Sequence, residues 1–193
     1  YMIVNGLPFM LMGQRLVAGA NSFVLLAIPF FILASNIMNS GGVTDRIFNF
    51  ANRAVGWVPG GLGHANIVAS VIFAGMSGSA VADAAGLGKI EIKAMENAGY
   101  SIEDATGITL ASSAIGPIFP PSVPLMLYAL YAEQSGITML MAGVVPALIL
   151  TVCMMAVVGY RARKMNWPTY HEEGDFKHHL KIFLKGIPAF CVP

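Results

Sequence analysis

At 193 residues the chain has room for one or two soluble domains, yet 56% of its residues are hydrophobic and only 11% are charged, far from soluble averages. A net charge of +1 supplies no basic field for nucleic acid, so nucleic-acid binding is excluded and an all-α polytopic membrane protein is expected. Two cysteines, Cys153 within an apolar helix and Cys191 at the chain end, give neither a metal-ligand cluster nor a disulfide framework and read as packing residues.

No initiator Met or signal-peptide pattern opens the sequence, and it stops inside a fresh apolar segment from Ala189 to Pro193, so it reads as cut at both ends. Tyr1 to Met12 reads as the tail of a span, and Gln14 and Arg15 mark an interface. Phe23 to Met38 is the richest part of an uncharged run and forms the first complete span, kinked near Pro29. Beyond Asn39-Ser40-Gly41-Gly42, the segment Asp45 to Trp57 sets Ile47, Phe48, Ala51, Ala54 and Val55 on one face and Arg46, Asn49 and Arg53 on the other. That spacing predicts an amphipathic helix lying along the membrane interface.

The apolar run Leu62 to Met76 rises about 22 Å as a helix, short of the roughly 30 Å hydrocarbon core. It cannot cross a bilayer alone. Small and polar residues from Ser77 to Gly88 follow, and a second short leg ends near Met95. Irregular backbone at membrane depth is tolerated only inside protein or against water, so residues 60–99 read as a re-entrant hairpin. Between Arg53 and Lys89 the only formal charge is Asp83, in the first turn of the returning leg. It is either a functional membrane acid or a charge that offsets a helix N-terminal dipole.

Glu96 to Ser101 is a turn, and Ser101-Ile102-Glu103-Asp104 has the pattern of a helix start. The span over 103–132 is uncharged beyond Asp104 as far as Ala132 but carries Gly116-Pro117-Ile118-Phe119-Pro120-Pro121-Ser122-Val123-Pro124. Proline removes a backbone donor and blocks the carbonyl one turn earlier, so this span must break into two half-helices. Ile137 to Tyr160 is a further span, stopped by Arg161, Arg163 and Lys164, and a loop from Trp167 to His179 leads to an amphipathic piece.

Lys and Arg accumulate in cytoplasmic loops. With the hairpin entering and leaving on one side, Arg46, Arg53, Lys89, Lys93, Arg161, Arg163, Lys164, Lys177, Lys181 and Lys185 share a face and Arg15 lies opposite. The hairpin base is therefore expected in the cytoplasm. A hairpin tip and a Pro-broken span in one chain point to a midplane site. Freed carbonyls there suit a cation such as Na⁺, with Ser77, Ser79, Ser112, Ser113 or Ser122 as further oxygen ligands, and half-helix N-termini suit a carboxylate. The plain alternative is that small residues let helices approach and prolines kink for packing. Gly75-Met76-Ser77-Gly78 also looks like the Gly-x-Ser-Gly of intramembrane serine proteases, but the one membrane His, His64, stands thirteen residues back, about 20 Å along the helix. A catalytic Ser needs its base within hydrogen-bond reach, so no enzyme is expected. His64 reads as a satisfied interface residue.

Gly60-Gly61-Leu62-Gly63-His64-Ala65-Asn66, Ser70-x-x-Phe73-Ala74-Gly75-x-Ser77-Gly78-Ser79-Ala80-x-Ala82-Asp83, Gly99-Tyr100, and Ile115-Gly116-Pro117-Ile118-x-Pro120-Pro121-Ser122 together resemble the large membrane subunit of TRAP transporters. Ala27 to Leu33, Gly143-Val144-Val145-Pro146 and Tyr160-Arg161-Ala162-Arg163 fit the same pattern. The resemblance implies an elevator-type ion-transporter fold in which this chain is one inverted repeat, with scaffold spans and an arm helix over 1–58. It implies a transport-domain part over 59–133, and a scaffold span, cytoplasmic loop and start of a missing repeat over 134–193. It implies a multi-pass protein of the bacterial inner membrane that imports small organic acids by Na⁺ symport, with a membrane scaffold or channel subunit as the alternative. The acid could be a C4-dicarboxylate, sialic acid or a keto acid. Implied partners are a small membrane subunit, separate or fused, a periplasmic substrate-binding protein and the bilayer. Carried over by position, Ser77, Gly78, Ser79, Ser113, Gly116, Pro117 and Pro120 form the first Na⁺ site. Ala80, Asp83, Pro121 and Ser122 are candidates on the substrate side of the tip, with no cofactor and no metal other than Na⁺.

Overall fold

The computed structural model describes residues 41–167 continuously, with scattered positions outside that stretch. The expected first span with its kink near Pro29, and the loop and amphipathic piece after Trp167, fall outside it. Among the described residues the chain is helix and turn with no strand.

Helix α1, Val43–Val55, buries Ile47, Phe48 and Ala51 and exposes Arg46, Asn49 and Arg53, as the spacing predicted. Its apolar stripe packs on α2, Gly61–Ser77, so that face is covered by protein. Gly60 precedes α2 with φ +75°, and a Cβ there would stand 2.5 Å from Ala162 Cβ, so only glycine admits this approach. Seventeen residues make α2 about 26 Å long.

After a two-residue turn the chain folds back on α2. The returning leg, expected as one piece, is two helices, α3 over Ala80–Gly86 and α4 over Gly88–Asn97, meeting at buried Leu87. Gly86 and Gly88 flank that junction, and glycine is the poorest helix former after proline. The turn ends at Gly99, φ +94°.

Helix α5, Ile102–Ser113, starts where the capping pattern put it. Ser101 Oγ accepts from the Asp104 backbone N–H at 3.1 Å and donates to Asp104 Oδ2 at 3.0 Å. Asp104 also pairs with Arg161 at 2.8 Å, tying α5 to the far end of α7. The chain then leaves helical geometry at 114–122 and resumes as α6, Val123–Tyr131. Two half-helices around a Pro-rich break are thus what the chain forms.

Helix α7, Gly136–Met165, is 30 residues long and the one described helix long and apolar enough to cross a membrane. Gly143, Ala147, Val158 and Ala162 face inward while Ile137, Met141, Val145, Leu148, Ile149 and Val152 face out. Cys153, expected in packing, is exposed on this outer surface, and Cys191 lies outside the described residues. Trp167 stacks on Tyr100 with ring centres 4.6 Å apart.

Lipid tails are as apolar as leucine, so such helices are held by close approach and polar contacts more than by apolar burial. The α2–α5 seam shows both. Asn66 Nδ2 donates to Thr109 Oγ1 at 2.7 Å, and Ser112 Oγ donates to Asn66 Oδ1 at 2.6 Å. One turn on, Ser70 Oγ donates to Ser112 Oγ at 3.0 Å. All four side chains are buried. Partners rise together in number along both helices, so α2 and α5 run parallel and end side by side.

Candidate functional site

The parallel seam delivers the hairpin tip to the break. Gly78 caps α2 in the left-handed region, φ +57°, and a Cβ there would overlap the Pro121 carbonyl oxygen and stand 3.2 Å from Ser122 Cα. A Cβ on Gly116 would stand 3.1 Å from the Ser79 carbonyl carbon and 3.2 Å from the Ala80 nitrogen. Gly75 faces Phe119 and the Pro120 carbonyl at ordinary contact distances. Two irregular backbones therefore touch because both contact residues lack a side chain.

Each proposed ligand has a definite position. Ser77 is buried and its Oγ accepts from the Ser79 N–H at 3.5 Å, and the Ser79 Oγ caps α3 by accepting from the Ala82 N–H at 3.4 Å. Ser113 Oγ donates back to the Leu110 carbonyl at 3.0 Å. Ser122 Oγ donates to the Pro117 carbonyl and accepts from the Leu125 N–H at 3.2 Å, closing the break on itself and starting α6. The carbonyls of Gly116, Pro120 and Pro121 accept no hydrogen bond among the described residues. The structure thus brings Ser79, Gly78, Ala80, Gly116, Pro120 and Pro121 to one junction, whereas the hydroxyls of Ser113 and Ser122 serve their own helices.

Helix dipoles add a bias. The C-terminal ends of α2 and α5 converge here, and a helix C-terminus carries about half a negative charge. Opposed to them, the N-termini of α3 and α6 leave the same junction with donors capped by Ser79 and Ser122.

Asp83 is not on the tip surface. It is 2% exposed, beneath the tip on the inner face of α3, with the Ser70 hydroxyl beside it. Glu91 on α4 is 1% exposed and was not singled out by sequence, because Lys89 and Lys93 around it read as a solvated base. The one signal was its spacing from Gly88 and Met95, which are buried on the same helix face. Asn66 and Thr109 were missed as a pair for a similar reason: polar residues on apolar helices show their partners only when the helices are docked. His64 is buried against Gly159, and neither ring nitrogen has a hydrogen-bond partner among the described residues, contrary to the satisfied residue expected.

Residues 1–193 match the family model of the tripartite ATP-independent periplasmic transporter, DctM component. The sialic acid TRAP transporter large permease protein SiaM of Vibrio cholerae is 43% identical over 182 residues, covering 93% of this chain and 43% of that protein. The 2,3-diketo-L-gulonate TRAP transporter large permease protein YiaN of Escherichia coli is 37% identical over 183 residues, 95% of this chain and 43% of that one. The C4-dicarboxylate TRAP transporter large permease protein DctM of Vibrio cholerae is 41% identical over 151 residues, 78% of this chain and 33% of its own length. This chain spans less than half of each of these relatives. With a family match over its whole length and the Gly78–Pro121 and Gly116–Ser79 contacts formed by the residues that carried the resemblance, the chain belongs to the DctM component family of tripartite ATP-independent periplasmic transporters.

Proposed function

We propose that this chain is one repeat of the large permease of a Na⁺-coupled importer of small organic acids, and that the tip–break junction holds a coupling Na⁺. The observation that carries this is the contact of Gly78 with the Pro121 carbonyl beside Gly116 and Pro120, whose carbonyls have no hydrogen-bond partner among the described residues. A cation takes up such oxygens, and two converging helix C-termini favour its charge. The hairpin over 60–99 is re-entrant, since α2 is too short to span alone, and it moves with the broken span as one body in an elevator cycle. The buried seam from Asn66 to Ser112 supports that rigidity. The small membrane subunit and the periplasmic binding protein complete the inner-membrane assembly. Relatives named for sialic acid, diketogulonate and C4-dicarboxylates make a carboxylate the substrate class.

The test is uptake by the reconstituted full-length transporter across a sodium titration. Ser77→Ala and Ser79→Ala should shift the half-saturating Na⁺ upward several-fold. Loss of the Ser79 cap costs only about 1 kcal/mol, so melting temperature should move little. An unchanged sodium dependence in both variants removes the tip from the cation site.

Topology is read separately. With the native cysteines of the full-length protein replaced, Lys93→Cys on the exposed face of α4 should resist a membrane-impermeant reagent in intact cells and react once the membrane is opened. Labelling from outside would overturn the cytoplasmic hairpin base.

A further inference from the structure

Where the turn between α1 and α2 meets the last turns of α7, a groove of about 330 Å³ opens on the outside of the helix cluster. Val58 and Pro59 line it from the turn, and Ala156, Gly159, Tyr160 and Arg163 line it from α7. Those four α7 positions fall at i, i+3, i+4 and i+7, so they make one face of the helix, about 10 Å long. The groove exists because Ala156 and Gly159 are too small to fill it. His64 of α2 packs against Gly159, 3.7 Å from where a Cβ would stand, and holds that stretch of α7 in place.

The length of α7 sets the depth of the groove. Thirty residues rise about 45 Å, well over the roughly 30 Å hydrocarbon core, so the last basic turn stands at head-group level and the groove runs from it toward the acyl chains. Trp57 and Tyr160, 66% and 70% exposed, flank it, and such amphipathic aromatics settle at that interface.

Charge narrows the occupant. Arg161 is held by Asp104 at 2.8 Å, which leaves Arg163 as the cation of the groove. Arg163 is exposed and has no ion pair among the described residues, and no Asp or Glu stands among the lining side chains. An apolar trough with a guanidinium at its interfacial end complements an acyl chain joined to a phosphate, whose oxygens match the guanidinium fork. The volume is at the low end of small-ligand pockets, about 300–1,000 Å³, which suits part of one chain.

We propose that this groove binds one anionic phospholipid, its phosphate on Arg163 and an acyl chain along Ala156 and Gly159 against Val58 and Pro59. A lipid seated there fastens the entry of the hairpin to α7. The site lies at the opposite end of α2 from the tip–break junction and does not depend on Na⁺ binding there.

The experiment is native mass spectrometry on the delipidated full-length permease in detergent, titrated with phosphatidylglycerol or phosphatidylcholine of identical acyl chains. Wild type should take its first phosphatidylglycerol in preference to phosphatidylcholine, and excess inorganic phosphate should not displace it. Arg163→Gln should weaken that first binding about fivefold, the share of one basic side chain near an anionic lipid, and remove the preference. Ala156→Phe, which fills the trough and keeps the charge, should weaken both lipids. Lys164→Gln, one residue along and outside the lining, should behave as wild type. A wild type without preference for phosphatidylglycerol overturns the proposal whether or not the variants fold, as does displacement by inorganic phosphate. Unchanged retention in whichever of Arg163→Gln and Ala156→Phe folds overturns it too. Unchanged lipid retention with an altered oligomeric state in Ala156→Phe would make the groove an interface between copies instead.

Discussion

Gly78→Ala should abolish sodium-coupled uptake while leaving the helices formed. The residue sits at φ +57°, where a side chain costs about 1–2 kcal/mol. That cost alone is survivable. What the added methyl cannot survive in place is the Pro121 carbonyl oxygen, which it would overlap, so tip and break must separate. Separation moves the Gly78 and Ser79 backbone away from Gly116 and the Pro120 carbonyl, the atoms proposed to share Na⁺. A loss of even 1.4 kcal/mol in cation binding is tenfold in affinity, and parting the two halves removes more than that. Two controls separate this from a general sensitivity of glycines. Gly107→Ala adds its methyl to open space within α5 and should be neutral or stabilising by up to about 1 kcal/mol. Gly75→Ala meets Phe119 at 3.7 Å and the Pro120 carbonyl at 3.9 Å, ordinary contacts that need no movement. Uptake across a sodium titration, with circular dichroism for helix content, reads all three. Wild-type coupling in Gly78→Ala would mean that the junction is packing alone.

Features governed by a few adjacent residues were legible in the sequence. The Ser101 cap, the break between Ser113 and Val123, the amphipathic stripe of α1 and the small-residue tip each follow from local rules about hydroxyl caps, proline and periodicity. Gly78 and Gly116 were legible as members of a motif, but not as partners of Pro121 and Ser79. That pairing depends on the register of α2 against α5, which no local rule supplies. Glu91 was hidden by its lysine neighbours, since charge runs report where water is only on average over a helix turn. The division of the returning leg at Leu87 was hidden too, because Gly86 and Gly88 look the same in a tolerated helix as in a broken one.

The seam that sets this register should fail asymmetrically when it is cut. Asn66 has no fallback, as its amide donates to Thr109 and accepts from Ser112 in a fully buried position. The hydroxyls do have one: Thr109 Oγ1 donates to the Ala105 carbonyl at 2.9 Å, and Ser112 Oγ reaches the Thr109 carbonyl at 3.0 Å. Ser112→Ala therefore leaves the Asn66 Oδ1 bare and takes the acceptor from Ser70 as well. A buried polar group left unmatched costs about 1–3 kcal/mol, whereas the hydrogen bonds between membrane helices average only about 0.6 kcal/mol. The unmatched group decides the sign of the comparison. Ser112→Ala should lower the melting temperature clearly, and Asn66→Leu, of similar volume and leaving both hydroxyls on backbone carbonyls, should lower it less despite removing more bonds. Adding Asn66→Leu to Ser112→Ala should then recover part of the loss, a coupling read from a double-mutant melting cycle. If Asn66→Leu proves the more damaging single change and the cycle shows no recovery, the hydroxyls depend on Asn66 rather than on their own helix, and the seam is a network in which every member is needed.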